Sequence, residues 1–203
     1  MSAAFRFGKR FLDVALAALI LALFGGPMLL IALAIRLDSP GPALFRQIRI
    51  GLNNHEFVML KFRTMRAQPN ESGTIVQASR GDARVTRVGA LLRRTSLDEL
   101  PQLFNVLCGQ MSLVGPRPHA PGTRAGGRPF EEVTTRYAAR HRVKPGLTGL
   151  AQVRGLRGET DTEDKLIWRL ESDLEYIENW SLWQDLLILA RTLFSVARMT
   201  NAY

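Results

Sequence analysis

The sequence predicts a mostly helical α+β fold with a re-entrant membrane helix hairpin, a small domain with short strands, and amphipathic interfacial helices. Three observations carry this prediction: an uncharged apolar run over residues 14–35, leucines at helical spacing in the C-terminal third, and a short run of strand composition at residues 57–64. We expect the three parts at residues 1–36, 37–178 and 179–203.

The apolar run is long enough to enter a membrane. It covers roughly 22 residues without a charge, which at 1.5 Å per residue is about the thickness of the hydrocarbon core. A cleaved signal peptide is the alternative, but residues 38–42, Asp-Ser-Pro-Gly-Pro, do not resemble an A-x-A cleavage site. The run therefore predicts a retained membrane segment.

The flanks of this run predict that it returns to the side it entered. Basic residues mark the cytoplasmic side of a membrane segment, and both flanks are basic. Gly26 and Pro27 supply a break, because proline removes a helical donor and glycine relaxes the backbone. A proline-kinked spanning helix is the alternative. The basic flanking residues are Arg6, Lys9, Arg10, Arg36, Arg46 and Arg49.

The strand predicted at residues 57–64 carries two cations near its end. Strict alternation would place Phe57, Met59, Lys61 and Arg63 on one face. Two neighbouring cations at a strand end indicate either a solvated end or a clamp for phosphate.

Two amphipathic helices are predicted in the C-terminal third. The first has a leucine stripe between residues 166 and 177, with Asp173 at its edge, so this acid is expected to be paired or functional. The second begins after Ser181, which can cap it, and its apolar face carries Trp183. That face suits either a bilayer interface or core packing.

Composition restricts the partners. The formal net charge of +9 indicates anionic partners such as lipid headgroups or phosphorylated small molecules. The single cysteine, Cys108, excludes an internal disulfide and is expected to be packed. Nucleic acid is not expected as a partner, because the tryptophans lie on amphipathic helices and not among the basic clusters.

The densest chemical signal is the segment at residues 93–107, RRTSLDELPQLFNVL. Ser96 and Glu99 fit a capping box, in which the glutamate reaches back to the serine amide. Adjacent carboxylates next to arginines also suit a phosphoanhydride substrate, since one carboxylate of the pair can attack phosphorus while the other holds Mg²⁺. The motif alone leaves both interpretations open.

Several long motifs in a fixed order resemble the monotopic polyprenyl-phosphate phosphoglycosyl transferases, or bacterial sugar transferases. These motifs are KRFLD at residues 9–13, LFGGP at 23–27, SPGPALFRQIRIG at 39–51, KFRTM at 61–65, SLDELPQLFNVLCGQMSLVGPRP at 96–118, KPGLTGLAQV at 144–153 and DLEYIENWS at 173–181. The resemblance covers nearly the whole chain.

The resemblance implies a cytosolic catalytic domain at the cytoplasmic face of the bacterial inner membrane. Such enzymes move a sugar-1-phosphate from a UDP-sugar to undecaprenyl phosphate, with Mg²⁺ as cofactor and membrane lipids as surroundings. The tail resembles members that start exopolysaccharide assembly, which favours UDP-glucose. Many of those carry a further N-terminal membrane region, so the chain corresponds to a short member or to the catalytic core of a longer one.

The resemblance also implies residue roles. Asp98 would be the nucleophile and Glu99 the metal ligand, with Lys61 and Arg93 completing the catalytic group. Substrate-binding roles carry over to Arg63, Arg117, Pro145, Thr148, Gln152 and Asp173. Gly26 departs from the family pattern, since members often have serine there.

Two further expectations concern oligomeric state and function. A homodimer is among the arrangements to be considered. The alternative function is a non-catalytic, membrane-docked organiser of a polysaccharide-export complex.

Overall fold

The computed structural model describes residues 3–66, 82–156, 158 and 160–197. Its α-helices are α1 Ala3–Asp38, α2 Arg87–Thr95, α3 Gln102–Leu107, α4 Phe130–Val133, α5 Leu150–Val153, α6 Glu163–Glu178 and α7 Leu182–Ala197. Its strands are β1 Leu44–Ile50, β2 Glu56–Phe62, β3 Ser112–Val114, β4 Arg124–Ala125, β5 Arg128–Pro129 and β6 Gly146–Thr148. The predicted mostly helical α+β class is confirmed.

Helix α1 is continuous where the sequence predicted a break. It runs from Ala3 to Asp38 with Pro27 inside, so the predicted division into two helices is not confirmed. Pro27 cannot donate to the carbonyl of Leu23, but one missing bond does not end a helix whose neighbouring bonds remain. A Cβ added to Gly25 or Gly26 would meet nothing within 4 Å, so this part of the helix is open on that side.

The first turns of α1 are fastened to the domain by polar side chains. Arg10 donates to the carbonyls of Val106 and Leu107 at 2.6 and 2.8 Å. Buried Asp13 accepts from the Ser112 hydroxyl at 3.0 Å and the Leu113 amide at 2.9 Å. The KRFLD motif therefore connects α1 to the end of α3 and to strand β3.

Strands β1 and β2 form an antiparallel hairpin, with Leu44 opposite Phe62 and Ile50 opposite Glu56. Phe57 and Met59 are buried, as alternation predicted. The alternation of buried and exposed side chains ends at Phe62, which is also buried. Arg63 therefore does not share the face of Lys61. Asn105 of α3 braces the hairpin by bonding the Leu60 amide and the Val58 carbonyl at 3.0 and 2.7 Å.

Strands β3 and β6 pair in parallel, and glycine makes this pairing possible. A Cβ built on Gly146 would lie 2.1 Å from the Gly115 nitrogen, and one on Gly115 would lie 2.5 Å from the Lys144 carbonyl oxygen. These are backbone atoms, which cannot move aside as a flexible side chain does. The glycines of the GPRP and KPGLTG motifs therefore serve close packing of two chain segments.

Replacement of Gly146 by Ala is expected to destabilise the fold by about 2 kcal/mol or more, because the new methyl group must displace backbone. Thermal unfolding followed by circular dichroism measures the change. Gly122→Ala tests a different cost, because its added Cβ meets nothing within 4 Å while its φ of +71° is strained. An unchanged melting temperature for Gly146→Ala would contradict the close approach.

Helices α6 and α7 form as predicted, and Ser181 caps α7 by accepting from the Gln184 amide at 3.1 Å. The predicted apolar face of α7 is exposed and not packed in the core: Trp183 is 68% and Leu193 is 72% exposed. The opposite face, with Asp185 and Ile188, is buried against the domain. Cys108 is exposed, so its predicted packing is wrong.

Candidate active site

The Asp98–Glu99 pair lies on a 3₁₀ turn, Leu97–Glu99, between α2 and α3. Ser96, which precedes it, is left-handed with φ of 57° and ends α2 by donating its amide to the carbonyls of Arg93 and Leu92. Its side chain makes no capping hydrogen bond. The capping-box interpretation is therefore wrong, and both carboxylates are available for other contacts.

Glu99 is held by two cations that come from distant parts of the chain. Lys61 donates to Oε1 at 2.7 Å from the end of strand β2. Arg117 donates to Oε1 at 2.6 Å and to Oε2 at 3.3 Å from the segment that follows β3. We call these three side chains the Glu99 clamp.

Electrostatics keep Glu99 ionised. Burial would raise the pKa of Glu99, but Arg117 and Lys61 outweigh it and hold the pKa far below its usual value. Burial also lowers the pKa of Lys61, and Glu99 opposes that change. The clamp therefore contains a permanent carboxylate beside two positive charges.

Asp98 has a different environment. It is 9% exposed, and no hydrogen bond to its carboxylate occurs among the residues that the structure describes. Burial, followed by the neighbouring Glu99 charge, raises the pKa of Asp98 to about 6, while Lys61, Arg117 and Arg93 pull it down. Two adjacent carboxylates thus have pKa values shifted in opposite directions, as expected for groups with different chemical roles.

The raised pKa of Asp98 predicts an acidic limb in any reaction that uses its carboxylate. Activity, measured as kcat/KM of the free enzyme, is expected to be level above pH 6 and to fall roughly tenfold per unit below it. Activity falls towards acid pH because only the deprotonated form of Asp98 can attack phosphorus. A profile that stays flat down to pH 4 would exclude this residue as the group that titrates.

The structure brings together some of the predicted residues and separates others. Asp98, Glu99, Lys61 and Arg117 meet, and the charge of Arg93 acts on Asp98. Arg63 does not join them. Its buried guanidinium donates to the carbonyls of Ser39 at 2.7 Å, Ile35 at 3.3 Å and Pro40, so it holds the C-terminal end of α1.

The predicted loop residues lie in the β3–β6 region and make structural contacts. The Pro145 carbonyl accepts from the Ser112 amide at 2.9 Å. Thr148 shares a hydroxyl hydrogen bond of 2.7 Å with Thr192 of α7, and Gln152 donates to the Leu147 carbonyl at 3.1 Å. Pro145 lines a small concavity together with Arg117 of the clamp, whereas the hydrogen bonds described for Thr148 and Gln152 go to Thr192 and Leu147.

Asp173 is paired, as its position at the edge of the leucine stripe suggested. Its partner, Arg140, was not predicted. Arg140 lies on a 3₁₀ segment, Tyr137–Arg142, and donates to Asp173 Oδ2 at 2.6 Å. Burial raises the pKa of Asp173, and Arg140 opposes that rise. Arg49 was also missed: burial and the neighbouring Arg117 lower its pKa to about 10, which places it close to the clamp.

Comparison with known proteins gives the class to which this site belongs. Residues 4–199 match the bacterial sugar transferase family, and the chain belongs to that family. It is 55% identical to a UDP-glucose:undecaprenyl-phosphate glucose-1-phosphate transferase of Caulobacter vibrioides, over 96% of this chain and 72% of that protein.

Two further relatives differ in length. An undecaprenyl-phosphate glucose phosphotransferase of Komagataeibacter xylinus is 51% identical over 96% of this chain and 37% of that protein. The exopolysaccharide production protein PSS of Rhizobium leguminosarum bv. phaseoli is 51% identical over 88% of both chains. The chain thus spans from about two fifths to most of the length of the curated relatives it matches.

Proposed function

We propose that the protein transfers a sugar-1-phosphate from a UDP-sugar, with glucose as the first choice, to undecaprenyl phosphate. The observation that carries the proposal is the pairing of a buried Asp98, to whose carboxylate no described residue makes a hydrogen bond, with a neighbouring carboxylate that two cations already hold. The names of the relatives in Caulobacter vibrioides and Komagataeibacter xylinus support the same reaction and the same sugar.

The reaction would proceed by double displacement at the sugar-linked phosphorus. An Asp98 oxygen forms a bond to that phosphorus while the anhydride bond breaks, and UMP leaves with the bonding electrons. A phosphate oxygen of undecaprenyl phosphate then attacks the same phosphorus, and Asp98 leaves as a carboxylate. The nearby charges of Lys61, Arg117 and Arg93 would offset the repulsion between the carboxylate and the phosphates.

Mg²⁺ fits this site only as an ion that arrives with substrate phosphates. No group of three His, Cys, Asp or Glu side chains able to enclose a metal occurs among the described residues. Mg²⁺ is commonly held by one or two carboxylates plus substrate phosphates, and the contact described for Glu99 Oε2 is a long one, of 3.3 Å to Arg117. Bound there, the ion would neutralise charge on the phosphates, while Asp98 remains free to attack.

The alternative of a non-catalytic organiser of a polysaccharide-export complex is not favoured. A docking role needs no nucleophile with a raised pKa beside a cation-held carboxylate. The curated relatives above, which cover most of this chain, carry names of phosphotransferases.

We further propose a monotopic position at the cytoplasmic face of the inner membrane. Helix α1 is long and apolar enough to cross a membrane, and only 11% of its most apolar 18-residue window is buried. Both of its ends contact one domain, through Lys9 at Val114 and Asp38 at the Val88 amide. A helix that crossed the bilayer would carry its two ends to opposite sides, so these contacts support entry and return on one side, with a bend at Pro27 as the means.

The exposed apolar face of α7 suits the same membrane surface. Trp183, Leu186, Leu193 and Phe194 are between 43% and 72% exposed. An aromatic-bearing apolar face on a helix whose other side packs on a domain is typical of helices that lie in a bilayer interface.

The topology predicts that both flanks of α1 label from the cytoplasmic side. Because Cys108 is exposed, the test uses a Cys108→Ser background with single cysteines at Phe5 or Leu37, both exposed in the structure. A membrane-impermeant maleimide should label both in inverted inner-membrane vesicles and neither in intact spheroplasts. Labelling of the two positions from opposite sides would establish a spanning helix.

The reaction itself is tested by UMP release. Purified protein is supplied with undecaprenyl phosphate, Mg²⁺ and one of a panel of UDP-sugars, and free UMP is measured over time. The fastest release is expected with UDP-glucose. Absence of UMP with every sugar would refute the proposed function, and a different preferred sugar would correct the substrate alone.

A further inference from the structure

Arg140 is a buried arginine that connects helix α6 to the chain segment carrying Arg117. Its side chain is 2% exposed in the ion pair with Asp173. One terminal nitrogen, Nη2, donates both to Asp173 Oδ2 at 2.6 Å and to the backbone carbonyl of Arg117 at 2.7 Å. The other, Nη1, donates to His119 Nδ1 and to the Tyr137 hydroxyl, the latter at 3.3 Å.

These bonds fix the chain on both sides of Pro118. The Arg117 carbonyl precedes that proline, and the His119 ring follows it. Burial, together with the Arg140 charge, holds the pKa of His119 well below its usual value, so its ring is neutral and Nδ1 can accept a hydrogen bond. Arg117 and Arg140 also line the same small concavity, next to Gly51 and Pro116.

We infer that Arg140 is a positioning residue for the transfer reaction, acting through Arg117. It holds the Arg117 backbone at the place from which the Arg117 guanidinium reaches both oxygens of Glu99, at 2.6 and 3.3 Å. Asp173 serves the same end by orienting Arg140, to which it is bonded at 2.6 Å. The inference rests on the proposed function.

An arginine is required by this geometry. Its planar fork presents two terminal nitrogens at fixed spacing, and here those nitrogens serve acceptors on α6, on the Arg117 segment and on the Tyr137 segment at once. Lysine keeps the positive charge beside Asp173 but offers a single nitrogen. Arg140→Lys therefore removes the positioning contacts while it leaves the buried charge in place.

The chain provides a matched control in Arg154. This arginine also pairs with an acid of helix α6, Glu175, through two bonds of 2.6 Å, but the pair is exposed, and the hydrogen bonds described for Arg154 go to Ser172 and Glu175. Arg154→Lys makes the same change of functional group in an arginine whose acidic partner lies on the same helix. It is expected to leave the rate of UMP release within about twofold of wild type.

The test is a double-mutant cycle read as kcat and KM for UMP release. Arg140→Lys alone is expected to lower kcat by tenfold or more, on the order expected for a misplaced catalytic clamp. In an Arg117→Ala background the same substitution should have almost no further effect, because the group it positions is already gone. Equal reductions in both backgrounds would overturn the inference and assign Arg140 to stability alone.

Folding is checked by melting temperature for every variant. Asp173→Asn is the second variant, because it keeps an oxygen acceptor for Arg140 while it removes the charge, and it should give the same non-additive result with Arg117→Ala. If neither Arg140→Lys nor Asp173→Asn folds, Arg140 is structural and the inference fails. A wild-type protein that releases no UMP refutes the proposed function itself, whereas an active wild type with additive effects refutes the inference alone.

Discussion

Asp98→Asn is expected to reduce UMP release by about a thousandfold or more, because the amide cannot form the bond to phosphorus that starts the reaction. Wild-type protein incubated with the UDP-sugar and Mg²⁺, without undecaprenyl phosphate, should gain the mass of a phosphosugar. The variant should gain none. Asp161→Asn, a substitution in an exposed pair with Lys165, is the matched control and should form the adduct at the wild-type rate.

The same substitution should make the protein more stable at neutral pH. The pKa of Asp98 is about 6 in the fold against an ordinary value of 3.8, so the folded state binds more protons between these pH values and stability is lost as pH rises through them. Relief of this cost should raise the free energy of unfolding by about 2 to 3 kcal/mol at pH 8. At pH 4 the advantage of the variant should vanish, because Asp98 of the folded wild-type protein is then protonated and as uncharged as asparagine.

Loss of activity together with a gain in stability separates two explanations of an inactive variant. Replacement of a residue that only supports the fold would lower both the activity and the stability of the protein. If Asp98→Asn were inactive and also less stable at pH 8, its inactivity would not identify a nucleophile.

The helices and the Asp98–Glu99 pair could be predicted because their signals are local. Leucine spacing gave α6, Ser181 gave the start of α7, and the family motif gave Lys61 and Arg117 as members of one site. The structural interpretation of the same motif, a capping box between Ser96 and Glu99, could not be excluded from the sequence. It fails in the structure because Ser96 adopts φ of 57° as the end of α2, which turns Glu99 towards the two cations.

The errors arise where tertiary contacts override a local pattern. Alternation placed Arg63 beside Lys61, but β2 ends at Phe62, and the buried carbonyls at the end of α1 provide acceptors for Arg63. Arg140 gave no periodic signal, since it lies in a short 3₁₀ segment and its partners outside that segment are 21 to 33 residues away. Neither contact has a counterpart in sequence spacing.

Lys9→Met is expected to cost about 2 to 4 kcal/mol of folding free energy, the largest stability loss predicted here. The Lys9 ammonium lies 2.7 Å from Asp185 Oδ2, and the side chain of Asp185 is 2% exposed. Removal of one partner leaves a buried charge, which usually costs about 3 to 5 kcal/mol. The loss is reduced because Tyr176 and Trp180 still donate to Asp185, at 2.7 and 3.1 Å.

Chemical unfolding in mild detergent, followed by circular dichroism, measures this change. The double variant Lys9→Met/Asp185→Asn should recover part of the loss, because it removes the uncompensated charge. Lys165→Met, which breaks the exposed pair with Asp161, should leave the unfolding midpoint unchanged within error. If Lys9→Met behaved like Lys165→Met, the buried pair would not be what fastens α1 to the domain.

The effect of Lys9→Met on activity follows from the position of the Lys9 ammonium group. Its ammonium also donates to the Val114 carbonyl at 3.1 Å, and the Tyr176 hydroxyl oxygen lies 3.1 Å from the same carbonyl oxygen. Val114 ends strand β3, directly before the segment that carries Arg117 to the Glu99 clamp. Loss of Lys9 should therefore lower UMP release in the fraction that remains folded, whereas a helix α1 that served only as an anchor would leave the activity per folded molecule unchanged.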